Sequence, residues 1–552
     1  MRNTMGKQPK PDSKKYTDLI SEIQNGQIKV PKFQRNFVWS LDRTAKLLDS
    51  ILKGYPIGTF ILWETNERLN NIKNIGNLEL PPVPDDDTKI QYVLDGQQRI
   101  TSLYAAFLGA KIQKEGEKKI TDYGEIYVNL DGDIEDNDNQ IVISEEPEET
   151  SFITLNEVLN FNDNLLKIKE KYSDDHFKKI HQYSQTFSTY DFSTIVLRKE
   201  GIDSAVEVFT RINTGGQTLT LFEIMSAKTY DEKQKFDMED RFKTLLEELS
   251  QSKYDTISSS VILSILGLIL SKNKECKRNV ILQLDRQKII DIWDDVISAL
   301  KESIDYFRSV YRIPVSAFLP YDSLLVPFAY FFYFQKERPQ GEQQKYLEEF
   351  FWRISLSFRY SSSTESKLAQ DIKRIDEILK GNRPNYDEVK VHLSSPKDLI
   401  ETNFSAGSSY CKAILCLLAY HEPKDFQDNG KVILDNSWLK VANSKNYHHF
   451  FPKAYLKKNN IDNENSLVNI ALVGADLNKR KIGANAPSVY IQGFLDKNDD
   501  LPNSLKSHLI NDLDDFGIMN DDYPVFLEKR ANAIFTELKS RIELKHREDK
   551  KT

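Results

Sequence analysis

Of the eight histidines in the sequence, His448 and His449 are adjacent, in NYHHFFPKAYL, and the Phe-Phe-Pro that follows halts the chain after a short strand. Neighbouring strand residues face opposite ways, so both imidazoles serve one site only if the chain bends there. Thirty positions after His448 stands Asn478. One imidazole and one amide or carboxylate oxygen, completed by water and a substrate phosphate, suit a hard divalent ion such as Mg²⁺. The other imidazole is suited to take a proton from a water that attacks a phosphodiester. Together they make the minimum equipment for metal-assisted hydrolysis. Lys445, Lys453, Lys457, Lys458, Lys479, Arg480 and Lys481 outnumber Asp462, Glu464 and Asp476 around the pair, so a polyanion has a local positive surface. The alternative is an ordinary half-buried pair beside solvated lysines.

A second constellation is QYVLDGQQRITSLYAAF. Tyr92, Val93 and Leu94 read as a buried strand, Asp95-Gly96 as a turn, and Ile100, Leu103, Tyr104 and Phe107 recur at helical spacing. This places DGQQR at a helix N-terminus, where unpaired amides and the guanidinium fork of Arg99 suit a phosphate, with Gln97 and Gln98 as neutral donors. The competing reading has Asp95 capping the helix and Arg99 paired with a nearby carboxylate. No G-x-x-x-x-G-K-[ST] or G-x-G-x-x-G occurs, so any nucleotide site is of another kind. Upstream, Phe33, Phe37 and Trp39 lie beside Gln34 and Arg35, a set that could stack on and hydrogen-bond a base or simply pack in a core. Ser40 is placed to cap the next helix and Gly54 to end it. Downstream, a Gly215-Gly216 turn precedes Thr220 and Glu223, which form a capping box.

These motifs need elements to hold them. Residues 1–230 alternate short β-like runs with amphipathic helices and read as α/β or α+β. Residues 231–400 turn to long helical runs such as KIIDIWDDVISALKESIDYF, and residues 401–552 read as a third, α+β unit closed by a charged helix from about 523. The run Leu467–Val473 is strand-like, and 475–482 reads as a helix carrying Asn478. LDGDIEDND at 130–138 is an acidic hairpin loop, since a calcium loop would need Gly where Asp136 stands. In WRISLSFRYSSSTESK, Arg353, Arg359 and Lys367 flank a serine cluster that could touch phosphate but more simply ends a helix.

Composition sets the outer limits. A length of 552 residues predicts three to four domains, and a hydrophobic fraction of 39% supports packed cores and excludes wholesale disorder. Lys plus Arg number 75 against 83 Asp plus Glu, a net of −8, so a nucleic-acid partner must be held by a local patch. Three cysteines without a C-x-x-C pair exclude a disulfide framework and a thiolate zinc site, and fit a reducing cytoplasm. The polar N-terminus has no apolar h-region, and the longest apolar stretch, 261–270, is about half a membrane span. A soluble, unexported protein with no membrane partner is expected.

The set FQRNFVW, LLDSILKGYPIG, YVLDGQQRITSL and FTRINTGGQTLT resembles the ParB/sulfiredoxin-like domain of GmrSD-type (type IV) restriction enzymes and related phosphorothioate-sensing antiphage nucleases. HHFFPKAYL with NSLVNIALVGADLNKRKIG is similar to the HNH nuclease domain that ends those proteins. The resemblance implies a multidomain α+β chain: a ParB/sulfiredoxin-like α/β domain at 1–230, a helical middle domain at 231–400 and a ββα-metal HNH domain at 401–552. It implies that Asp95, Gly96, Gln97, Gln98, Arg99 and Thr101 bind, and could hydrolyse, a nucleoside triphosphate (GTP or ATP). Likewise it makes His448 and Asn478 ligands of Mg²⁺ or Mn²⁺, His449 the general base and Asn469 the residue that orients it. Phe33, Gln34, Arg35 and Trp39 would sense modified or phage DNA, and Lys453, Lys479, Arg480 and Lys481 would contact its backbone. The expected activity is a modification-dependent DNA endonuclease gated by nucleotide, working as a monomer or homodimer. The rivals are a non-cleaving, nucleotide-dependent DNA-binding adaptor and a nucleotide hydrolase with no nucleic-acid role.

Overall fold

The apolar runs of the N-terminal part become the inner strands of a five-stranded sheet. The computed structural model describes residues 11–32, 34, 36–69, 71–72, 74–75, 77–84, 88–114, 117–132, 140–143, 150–198, 201–212, 220–231, 233–434, 447–474, 477 and 482–543. The chain divides into two units, residues 1–238 and 239–552.

In the first unit the elements run β1 (Pro11–Lys15), α1 (Tyr16–Gln24), β2 (Ile28–Lys29), α2 (Leu41–Leu52), β3 (Phe60–Thr65), β4 (Asn74–Ile75), β5 (Leu78–Glu79), β6 (Ile90–Asp95) and α3 (Gln97–Leu108). They continue with β7 (Lys111–Gln113), β8 (Ile120–Asp122), β9 (Ile126–Asn129), β10 (Ile141–Ile143), β11 (Phe152–Thr154), α4 (Leu155–Leu159), α5 (Phe161–Lys171), α6 (Asp174–Thr189), β12 (Asp191–Arg198), α7 (Ile202–Ile212) and α8 (Leu221–Thr229). The main sheet has the order β1-β12-β3-β6-β2 and is mixed: β12 is parallel to β3, β2 is parallel to β6, and β3 is antiparallel to β6. Its central strands are continuous apolar runs because both faces are covered: Phe60, Leu62 and Trp63 on β3 and Tyr92, Val93 and Leu94 on β6 are buried. Helix α2 starts where the Arg43 N–H donates to Ser40 Oγ, and α8 opens with the Thr220–Glu223 capping box. β9, β10 and β11 form a separate antiparallel sheet.

The second unit is mainly helical: α9 (Met238–Ser250), α10 (Ser259–Leu270), α11 (Arg278–Ile281), α12 (Arg286–Ser309), α13 (Leu325–Phe334), α14 (Gly341–Ser355), α15 (Thr364–Leu379), α16 (Pro396–Glu401) and α17 (Ser409–Tyr420). Helix α13 is apolar all round, and Leu325 to Phe332 are buried among α10, α12 and α15, as that composition requires. Then follow β13 (Tyr447–His449), α18 (Lys453–Lys458), β14 (Ile470–Leu472), α19 (Pro487–Leu495), α20 (Leu501–Lys506) and α21 (Tyr523–Ile542). The serine-rich stretch ends α14 and starts α15; there Arg359 donates to buried Asp371 at 2.8 Å, so its guanidinium is engaged by a carboxylate. Among the described residues no helix is long and apolar enough to cross a membrane.

The run 467–473 departs from a simple strand. Leu467–Asn469 form a 3-10 turn, and the strand proper is Ile470–Leu472. The cause is Asn469, whose side chain reaches across to the main chain of Phe451 and tightens the backbone before pairing begins.

Candidate active site

Strands β13 and β14 pair antiparallel, with His448 opposite Ala471 and His449 opposite Ile470. Their rigidity comes from the residues after the histidines. Phe450 stacks on Phe526 of α21 with ring centroids 4.9 Å apart, Phe451 packs against Tyr523 at 5.0 Å, and the Tyr490 hydroxyl of α19 donates to the Phe450 carbonyl at 2.6 Å. Buried Arg530 of α21 donates to the carbonyls of Val468 (2.5 Å) and His508 (3.1 Å), fixing the turn that leads into β14.

On this hairpin the two imidazoles differ. His448 is 3% exposed and sits edge-on to Tyr490, ring centroids 6.4 Å apart. His449 is half-buried, with Nε2 3.1 Å from Asn465 Oδ1. The amide of Asn465 is oriented by its own donation to the Phe404 carbonyl at 3.0 Å, which turns Oδ1 toward the ring. Nε2 therefore carries the hydrogen, and the lone pair is on Nδ1. Burial, followed by the ammonium of Lys453, pulls the His449 pKa down to about 4, so the ring is neutral at pH 7. Lys453 opens α18, and Lys457 is 3.7 Å from Glu464, so part of the local positive charge is compensated.

Asn469 does not touch either ring. Its Oδ1 accepts from the Phe451 N–H at 2.8 Å, and its Nδ2 donates to the carbonyls of Phe451 (2.9 Å) and Glu464 (3.3 Å). It grips the main chain of Phe451, two residues after His449, while the amide that meets the imidazole belongs to Asn465. Sequence spacing did not single out Asn465 or Arg530, because each acts through a partner distant in the chain. Asn478, Lys479, Arg480 and Lys481 lie outside the described residues, as do Phe33, Arg35 and the Gly215-Gly216 turn. Among the described residues no group of three His, Cys, Asp or Glu gathers as a metal cage.

In the first unit the structure joins two sequence motifs at Arg99. Gly96 adopts φ +95° between β6 and α3, and the Arg99 fork turns back from the helix start. Nη1 donates to the Ile57 carbonyl at 2.7 Å and Nη2 to the Thr59 carbonyl at 3.0 Å, with Asp95 Oδ2 at 3.4 Å. The guanidinium also lies 5.0 Å from the centroid of the Phe60 ring. Thus the GYPIG segment cradles Arg99. Gln98 clasps the FQRNFVW loop: its Nε2 donates to the Asn36 carbonyl at 3.0 Å, and its Oε1 accepts from the Val38 N–H at 2.9 Å. Gln34 Nε2 donates to the carbonyls of Val93 and Leu94, and buried Lys114 donates to the Trp39 carbonyl at 2.6 Å. Gln97 and Thr101 are buried. Phe37 belongs to the core, whereas Val38 is exposed and Trp39 is half-buried with Arg43 4.3 Å from its ring centroid. What reaches the surface is an aromatic, cationic rim above a well-bonded turn.

A methyl group at Gly96 would lie 2.4 Å from buried Phe60 as well as at a left-handed φ. Gly96→Ala is expected to destabilise the protein by roughly 2–4 kcal/mol, the sum of backbone strain and overpacking. Urea unfolding with an unchanged m-value checks this.

Residues 16–230 match the family model described as the GmrSD restriction endonuclease, N-terminal domain. An uncharacterized protein of Methanocaldococcus jannaschii is 26% identical over 558 residues, an alignment that covers 91% of this chain and 92% of the relative.

Proposed function

We propose, on the premise that residues 16–230 carry a GmrSD restriction endonuclease N-terminal domain, that this protein is a defence endonuclease that cuts DNA at the His449 hairpin. The observation that carries the chemistry is the placement of the His449 imidazole on the paired hairpin, with Nε2 held by Asn465 at 3.1 Å. In this reading the C-terminal part of the second unit is an HNH-type domain. His448 and Asn478 would hold Mg²⁺ or Mn²⁺, which supplies charge neutralisation at the scissile phosphate. His449 takes the proton of the attacking water, Asn469 keeps the hairpin closed, and Lys453, with Lys479, Arg480 and Lys481, meets backbone phosphates.

Upstream, the surface made by Trp39 and Val38, together with Gln34, would read the modified or foreign DNA. A nucleoside triphosphate at the Asp95–Arg99 turn would gate cutting. Support for that gate is the helix start itself, whose first amides have no intrahelical partners. Because Arg99 bonds the carbonyls of residues 57 and 59, its contribution would be to hold the turn in shape. A gate also requires that the nucleotide bind two conformations with different affinity.

The burial of His448 favours a second reading, a nucleotide-dependent DNA-binding adaptor that does not cut. Plasmid cleavage with Mg²⁺ or Mn²⁺, with and without GTP or ATP, on plain, methylated, glucosylated and phosphorothioated DNA separates the two. Metal-dependent cutting that is lost in His449→Ala supports the nuclease. DNA binding without nicking on every substrate supports the adaptor. If Arg99→Ala cuts normally with and without nucleotide, the gate is wrong while the nuclease stands.

A further inference from the structure

Lys29 lies on β2 opposite Tyr92 of β6 and is 4% exposed. It lines a cavity of about 30 Å³ together with Pro81, Thr101 and Tyr104, among apolar walls that include Ile28 and Ile100. Its ammonium donates to the Pro81 carbonyl. Among the described residues no carboxylate lines the cavity, and Tyr104, the other titratable side chain there, has its own pKa raised by burial and is neutral. Desolvation alone pulls Lys29 down to about 8. An ammonium has three hydrogens, so one carbonyl leaves most of its donor capacity free. Thr101 of α3 is buried too and lines the same cavity. Buried lysines are rare unless paired or put to use.

We propose that Lys29 and Thr101 form a binding site for a compact monoanion with a carboxylate-sized head. The size follows from the space: a water needs about 10–15 Å³ of such volume, so the cavity takes a group of two or three heavy atoms and no nucleotide. The sign follows from an ammonium that meets no carboxylate among the described residues of the cavity. Occupancy ties β2 to α3 one turn beyond the Asp95–Arg99 segment, so the anion stiffens the element that positions that turn. The site is separate from the helix start and stands whether or not nucleotide binds there.

The linkage has a definite sign. Because the folded-state pKa is depressed below the ordinary lysine value of about 10.5, the folded state is penalised near neutrality, and the penalty fades as pH rises from about 8 toward that value. Lys29→Met keeps the volume and removes the charge. It is therefore expected to melt at higher temperature than the parent at pH 7, with the difference closing at alkaline pH.

The test titrates the full chain with sodium formate and sodium acetate at fixed ionic strength set by a bulky sulfonate. It follows thermal melting and the ¹³Cε lysine resonance that disappears in Lys29→Met. The expected result is a saturable rise in melting temperature and an upward shift of the Lys29 titration by about one unit, a tenfold preference for the anion by the charged form. Lys29→Met should lose the response, and Thr101→Val should weaken formate binding several-fold while retaining Lys29's titration. No saturable shift at Lys29, or an unchanged melting response in Lys29→Met, would mean that the cavity holds water only and would overturn the proposal.

Discussion

His449→Ala is expected to lower the rate of metal-dependent DNA cleavage by about 10²- to 10⁴-fold, the range in which a positioned general base contributes. The side chain lies on a paired strand, and it contributes one described hydrogen bond, to Asn465, so the loss should appear in rate with little change in fold. The comparison that isolates the base is Asn465→Ala. It leaves the imidazole in place but removes the acceptor that fixes Nε2–H, freeing the ring to rotate and to exchange tautomers. A smaller loss is expected, roughly tenfold to a hundredfold, since misplacing a reacting group by about 1 Å has an effect of that order. Single-turnover cleavage with saturating protein measures both, and DNA binding should be retained in both variants. Equal rates in the parent and His449→Ala would remove the imidazole from the chemistry.

Local patterns carried the sequence reading a long way where the physics is local. The strand Tyr92–Leu94, the turn at Asp95-Gly96 and the helix with Ile100, Leu103 and Tyr104 inward are all present, because strand burial, a left-handed glycine and helical periodicity act within a dozen residues. The Ser40 cap and the Thr220–Glu223 capping box are present for the same reason. The destinations of polar side chains were not legible. Arg99 as a fork at a helix start invites a phosphate, yet its hydrogen bonds go to carbonyls 57 and 59, which come from β3's approach some 40 positions earlier. The competing reading is met only in part: Arg99 does lie beside a carboxylate, but that carboxylate is Asp95 itself, which does not cap the helix. Similarly, His448 and His449 are a visible pair, but which one is buried depends on Tyr490 and the stacked Phe450–Phe526, all supplied from later helices.

Asn469→Asp and Asn469→Ala are both expected to damage the hairpin, and the two differ in how the damage depends on pH. Asn469 is fully buried, and its amide is matched on both sides: an acceptor faces the Phe451 N–H, and donors face the carbonyls of Phe451 and Glu464. Alanine leaves those main-chain groups without partners, at about 1–3 kcal/mol for each unsatisfied group, with little dependence on pH. An ionised aspartate would keep the first contact but point an oxygen without hydrogen at two carbonyls, in a fully buried position. Breaking a buried polar arrangement to leave an uncompensated charge costs about 3–5 kcal/mol. Protonation restores a donor, so the aspartate's pKa in the folded state must rise above its unfolded value of about 3.9. The sign is then fixed: the folded state binds more protons than the unfolded one, and Asn469→Asp gains stability as pH falls from 7 toward 5. Urea unfolding of the parent and both variants at pH 7 and pH 5 measures this. Recovery at pH 5 in the aspartate variant alone, with cleavage lost in both variants although His449 is intact, is the outcome expected if the Phe451 clamp holds the catalytic hairpin. If the aspartate variant is as stable as the parent at pH 7, the amide is not gripping the main chain, and the positioning role of Asn469 falls with it.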